Sequence, residues 1–157
     1  MKVQSIINES DNNFSRMLYS TENKEIGSYD YLKDALKGKK ILIVEDIYSN
    51  FQLLSAYLTP TGATILHQEN GTSAFNLFKT QPDIEIILMD IRLPDISGLS
   101  VTRMIREISK DVKIIAQTAY ALHSDRIQCL AAGCNDYIAK PIRRRELLDV
   151  IARYIRD

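Results

Sequence analysis

Four stretches of this chain end in groups suited to handling a phosphoryl group. Glu45-Asp46 follows the apolar run Ile41-Leu42-Ile43-Val44, and Asp90 follows Ile84-Glu85-Ile86-Ile87-Leu88-Met89. Gln117-Thr118 follows Val112-Lys113-Ile114-Ile115-Ala116, and Lys140-Pro141 follows Tyr137-Ile138-Ala139. Each run reads as a buried strand, and in open parallel α/β sheets the residues beyond the C-terminal strand ends share one crevice. Three carboxylates crowded there would raise one another's pKa unless a cation sat among them. An all-oxygen set suits Mg²⁺, which prefers octahedral coordination and keeps part of its water. A carboxylate beside such an ion can attack phosphorus and form an aspartyl phosphate. The metal and a lysine then offset charge on the transferring group. The bland alternative is that the acids are helix caps or solvated loop residues, and Asp46 does precede an amphipathic segment as a cap would. Caps explain one acid well, but not four groups on separate strand ends.

Those groups meet only if the runs pair as one parallel sheet. Between the strands, Ile47, Phe51, Leu54 and Leu58 recur at helical spacing until Thr59-Pro60 and Gly62 stop them. Thr64-Ile65-Leu66 is a short second strand, and Ala74, Leu77 and Phe78 mark a second helix ending before Pro82. After Asp90 comes a loop with Pro94 and Gly98, then a third helix through Val101, Met104, Ile105 and Ile108. A fourth helix runs from Leu122 to Ala132 and stops at Gly133, and Leu147, Leu148, Ile151, Tyr154 and Ile155 stripe a fifth. Five strands alternating with five helices predict right-handed βαβ units in a flavodoxin-like (βα)5 doubly wound parallel sheet, strand order 2-1-3-4-5. In that order the first and third strands are neighbours, with the fourth and fifth beside them.

The chain has 157 residues, 45% hydrophobic and 25% charged, with a formal net charge of zero. This suits one soluble domain able to bury a core without staples, and gives no reason to expect nucleic acid or a membrane surface as partner. No apolar run is long enough to span a bilayer, and the first residues lack a signal core, so a cytoplasmic location is expected. Cys129 and Cys134 read as two thiols in a reducing compartment. Residues 1–38, rich in Asn, Ser, Lys and Glu, read as an N-terminal arm or linker with a short helix at Tyr29–Leu36; residues 39–157 are the folded domain. His67 and His123 have no partner at metal-ligand spacing, and Arg143-Arg144-Arg145 opens a segment too weakly basic for a nucleic-acid patch.

In order along the chain, Ile41-Leu42-Ile43-Val44-Glu45-Asp46, Met89-Asp90-Ile91-Arg92-Leu93-Pro94-Asp95-Ile96-Ser97-Gly98, Ile115-Ala116-Gln117-Thr118-Ala119 and Asp136-Tyr137-Ile138-Ala139-Lys140-Pro141 resemble response-regulator receiver domains of two-component systems. With Gln117-Thr118-Ala119-Tyr120-Ala121 and Ala131-Ala132-Gly133-Cys134-Asn135-Asp136-Tyr137, the wording is most similar to receivers of hybrid sensor histidine kinases.

The resemblance implies a role for each matching residue. Asp90 is the phosphoacceptor, loaded from a phosphohistidine of a histidine kinase or histidine phosphotransfer domain. Asp46 and Asp90 bind Mg²⁺, for which Mn²⁺ can substitute, with Glu45 acting through water and Arg92 through its backbone carbonyl. Thr118 takes a phosphoryl oxygen, Lys140 pairs with the acceptor, and the bond to Pro141 is cis. Thr118 and Tyr137 form the switch that alters the face made by the fourth helix, fifth strand and fifth helix, for an unidentified output partner or a weak homodimer. Arg92, Ala119 and Tyr120 flank the phosphoryl group, and the bulk of Arg92 and Tyr120 implies restricted water access and a long phosphoryl lifetime. Glu45 stands where Asp is more frequent, and Asp95-Ile96-Ser97-Gly98 departs mildly from the usual loop.

Two rival readings fit these residues less well. A haloacid-dehalogenase-type phosphohydrolase also uses an aspartyl nucleophile, but it needs a second acid two residues on, where this chain has Arg92. A receiver that binds partners without being phosphorylated keeps the fold, although Asp46, Asp90, Thr118 and Lys140 are all present. As a chain the protein is not a conventional enzyme: it would catalyse only its own phosphorylation and dephosphorylation, either standing alone or as a fragment of a hybrid kinase.

Overall fold

The computed structural model describes residues 29–119 and 122–155, so Tyr120 and most of the arm lie outside the described residues. The strands and helices are β1 Lys40–Val44, α1 Tyr48–Leu58, β2 Thr64–Gln68, α2 Gly71–Thr80, β3 Ile84–Asp90, α3 Gly98–Ile108, β4 Lys113–Thr118, α4 His123–Ala132, β5 Asp136–Ala139 and α5 Arg144–Ile155. All five strands are parallel, in the order β2-β1-β3-β4-β5 that the alternation predicts. The β-branched runs show no alternation because both sheet faces are covered. On one face Leu42, Val44, Ile87, Met89, Ile114 and Ala116 pack against Ala74 and Phe78 of α2, Val101 and Ile105 of α3 and Cys129 of α4. On the other, Ile41, Ile43, Leu88 and Ile115 are buried with Leu54 and Leu58 of α1 and Leu147, Leu148 and Ile151 of α5.

The chain divides into two units between Tyr31 and Leu32, so the compact unit starts before the change in composition at Lys39. In place of the short helix read at Tyr29–Leu36 there is a 3₁₀ turn, Asp30–Leu32, followed by turns. Leu32 and Leu36 are buried, and the Asp34 and Leu36 N–H groups donate to the Pro60 and Thr61 carbonyls. Two leucines among polar residues give too weak a periodicity to betray this docking. Cys129 and Cys134 are buried free thiols, and burial pushes Cys134 up to about 11, which keeps it protonated and unreactive.

One contact ties the loop after β3 to a helix far away in sequence. Asp95 accepts from the Gly71 and Thr72 N–H groups, each at 2.8 Å, and from the Thr72 hydroxyl at 2.6 Å, capping α2 from outside. The Thr72 hydroxyl above all, then those N–H groups, hold the Asp95 carboxyl well below the ordinary carboxylate range. Because the folded pKa is the lower one, this stabilisation is present above the unfolded value and fades as pH falls through the folded one. Asp95→Ala is therefore expected to lower Tm by about 2–4 °C at neutral pH, the worth of roughly one cap. The gap to the parent should shrink below about pH 4. A gap in Tm that stays constant from pH 7 to pH 3 would exclude the cap as its origin.

Candidate functional site

The sheet order makes β1 and β4 the two neighbours of β3, and the register pairs Val44 with Met89 and Asp90 with Gln117. Glu45, Asp46 and Asp90 accordingly meet at one end of the sheet, each offering an oxygen within 4.8 Å of the others. Glu45 is fully buried and Asp90 nearly so, whereas Asp46 is exposed. Lys140 bridges the two buried acids, donating to Asp90 Oδ2 at 2.6 Å and Glu45 Oε2 at 2.9 Å. Burial disfavours the ammonium, but its hydrogen bonds to Asp90 and Glu45 outweigh that, and its pKa stands above the ordinary lysine value. The other Asp90 oxygen accepts the Arg92 N–H at 2.9 Å, and Glu45 Oε1 accepts the Ile47 N–H at 3.1 Å and the Asn50 amide at 3.3 Å. No side chain caps α1, so Asp46 does not play the helix-cap role that could have explained it.

Thr118 is buried at the end of β4, and its carbonyl accepts the Lys140 N–H at 2.7 Å, which ties the β4 and β5 ends together. The Lys140–Pro141 bond is cis. A cleft of about 480 Å³ opens over these groups, bounded among others by Asp46, Asp90, Arg92, Thr118, Ala119 and Lys140. Ala119 is exposed on its rim. Tyr137 is half-buried on the neighbouring strand, with the Arg126 guanidinium of α4 6.0 Å from its ring centroid. His67 is half-buried: Nε2 donates to the Glu45 carbonyl at 2.8 Å and the ring stacks on Phe51 at 3.8 Å, so it steadies the β1 end rather than binding a ligand.

Three carboxylates and one ammonium leave a surplus of negative charge, and the donors are all oxygen. That set fits a small divalent cation such as Mg²⁺, with one open, exposed acid at its edge. Sequence reasoning did not single out Asn50, which holds Glu45, or Gly98, whose backbone lies against the Asp90 carbonyl. A polar residue five after an acid and a glycine before a helix are too common to stand out. Asp95 stands in a loop 23 and 24 residues from Thr72 and Gly71, so its own segment carries no sign of the helix it caps.

The family model for the response regulator receiver domain matches residues 41–152. The polar-differentiation response regulator DivK of Brucella anthropi is 34% identical, over 76% of this chain and 98% of DivK. Transcription factor SKN7 of Saccharomyces cerevisiae is 34% identical over 77% of this chain, and hybrid signal transduction histidine kinase L of Dictyostelium discoideum 36% identical over 73%. The chain spans 19% and 7% of those two longer proteins. Among solved structures, the receiver domain of sensor histidine kinase PA1611 from Pseudomonas aeruginosa, with a magnesium ion coordinated in its active site cleft, is 42% identical with a TM-score of 0.67, covering 75% of this chain and 98% of that one. The Ssk1 receiver domain of Saccharomyces cerevisiae, co-crystallised with the histidine phosphotransfer protein Ypd1, is 30% identical with a TM-score of 0.71, over 76% and 90% of the two chains.

Proposed function

The chain belongs to the response-regulator receiver family of two-component systems, and on that premise we propose that Asp90 is its phosphoacceptor, loaded from a phosphohistidine on a histidine kinase or histidine phosphotransfer domain. An Asp90 carboxylate oxygen forms the new P–O bond while the P–N bond to the donor imidazole breaks, and the electron pair leaves with the imidazole. The observation that carries the reading is the bridge of Lys140 across the buried Asp90 and Glu45. It holds the acceptor in place, with an ammonium ready to meet the charge on the phosphoryl oxygens. Asp46, Asp90 and the Arg92 carbonyl, with Glu45 through water, would hold Mg²⁺. Bound there, Mg²⁺, or Mn²⁺ in its place, would neutralise charge on the transferring group. The magnesium site of the PA1611 receiver supports this assignment.

Thr118 would then hydrogen-bond a phosphoryl oxygen, and Tyr137 would follow it, shifting the face formed by α4, β5 and α5. Leu122, Ile127 and Leu130 are exposed there and would supply the apolar part of an output contact or a weak homodimer. Residues 39–157 would act as the receiver and residues 1–38 as its arm. A cytoplasmic location is part of the same proposal; among the described residues, no helix is long and apolar enough to cross a membrane.

The test is incubation with acetyl phosphate and Mg²⁺, followed by intact-mass spectrometry. One phosphate should add to the parent, none to Asp90→Ala, and chelation should abolish the adduct. An adduct that persists in Asp90→Ala would assign the acceptor elsewhere.

A further inference from the structure

Gln117 ends β4 in register with Asp90 of β3. Its neighbour Ala116 packs on the α2–α3–α4 side, so alternation turns the Gln117 side chain toward α1 and α5, where Glu45 and Lys140 line the same cavity. Parallel strands run about 4.8 Å apart, so the carboxamide is a direct neighbour of the acceptor. It is also roughly 10 Å, two strand spacings, from the Glu45 backbone. A Glu and a Gln reaching toward each other across Asp90 span that distance.

The Gln117 carbonyl is engaged, accepting the Ile91 N–H at 3.1 Å. Its side chain is not. Gln117 is wholly buried, and neither Nε2 nor Oε1 has a hydrogen-bond partner. A cavity of about 380 Å³, lined among others by Glu45, Asn50, Leu54, Gln117, Lys140 and Ile142, leaves room for side chains to rearrange. Leaving a buried amide unpaired is costly, and leucine or methionine would fill the same space without that cost. A group so placed is explained if a second state of the protein pairs it.

Lys140 shows what that state would be. One ammonium now serves both Glu45 and Asp90. Once Asp90 is phosphorylated, its charge moves outward onto the phosphoryl oxygens and the ammonium follows, so Glu45 Oε2, beside whatever water the metal would offer it, loses its side-chain donor inside the core. Gln117 Nε2 is an unused donor on the same face at the same level. We propose that Gln117 is a positioning residue for phosphoryl transfer, whose amide takes over the Glu45 carboxylate when Lys140 turns to the phosphoryl group. The proposal rests on Asp90 being the acceptor.

Gln117→Met, unbranched and of matching length, and Gln117→Leu test it by two readouts of opposite sign. Unmodified, both variants should unfold at the parent's temperature or a few degrees above it, because the unpaired amide is gone. With acetyl phosphate and Mg²⁺, both should load about tenfold more slowly, and phosphorylation should raise their Tm less than it raises the parent's, as expected for a lost hydrogen bond to a charged group. Loading at the parental rate overturns the proposal. A fall in the Tm of the unmodified variants, or their failure to fold, also overturns it, because the amide would then be stabilising the resting state. If the parent itself takes no phosphate, the assignment of Asp90 fails first, and the unmodified Tm still tells whether the amide is a burden at rest.

Discussion

Lys140→Met is expected to unfold far more easily than the parent in the absence of divalent cations, with Tm lower by roughly 10 °C. The substitution keeps the length of the side chain and removes its charge. Glu45 is wholly buried, and its Oε2 would lose the ammonium 2.9 Å away, while Asp90 would lose a donor at 2.6 Å. Removing one partner of a buried ion pair costs about 3–5 kcal/mol, because the stranded charge stays in the interior. In a domain of this size each kcal/mol moves Tm by about 2–4 °C. Added Mg²⁺ should restore part of this stability, since it repairs the same charge imbalance from the other side. It should not restore loading by acetyl phosphate, expected to fall about a hundredfold or more on removal of one charged donor. Differential scanning fluorimetry with and without Mg²⁺, run beside intact-mass kinetics, separates the two effects. Parental stability in the metal-free variant would mean that the bridge contributes nothing at rest.

Gly98→Ala should be as damaging, for a steric reason. Gly98 opens α3 under the cap provided by Ser97, and its N–H donates to the Ile91 carbonyl at 2.9 Å. A Cβ built there would lie 2.0 Å from the Asp90 carbonyl oxygen and 2.9 Å from its carbon. Both atoms belong to the backbone of a central strand, so no side chain can yield. Either α3 retreats or the end of β3 bends, and each displaces Asp90. Overpacking of this kind costs about 3 kcal/mol or more, or some 6–12 °C in Tm, and phosphorylation should suffer even in the fraction that stays folded. Urea titration and loading kinetics report the two losses. Near-parental values for both would show that the α3 start can shift freely, against the tight approach seen here.

The sheet and its strand ends were legible because a parallel sheet covered on both faces writes continuous β-branched runs, and the acids, hydroxyl and amine follow those runs directly. Strand order then came from the rules of chain crossover. What was not legible depends on contacts between distant segments. The clamp of Asp95 on α2 uses backbone N–H groups, which no sequence displays. The Arg106 guanidinium likewise donates to the Gly133 carbonyl and Asn135 Oδ1, both at 2.7 Å, joining α3 to the turn before β5. Gln117 was visible at a strand end, but only its burial without partners distinguishes it from a surface glutamine. Leu32 and Leu36 read as part of a short helix in an arm, yet both are buried, and the Leu36 N–H donates to Thr61 in the turn after α1.

The sheet also divides the site between its two helical layers. Glu45, Gln117 and Lys140 gather toward α1 and α5, whereas Tyr137 packs on the opposite side beneath Arg126 of α4. Asp90 stands where the layers meet. If Asp90 is the acceptor, substitutions around Glu45, Gln117 and Lys140 would act first on how fast it is charged, and those around Tyr137 and Arg126 on what α4 then presents, with α5 bordering both.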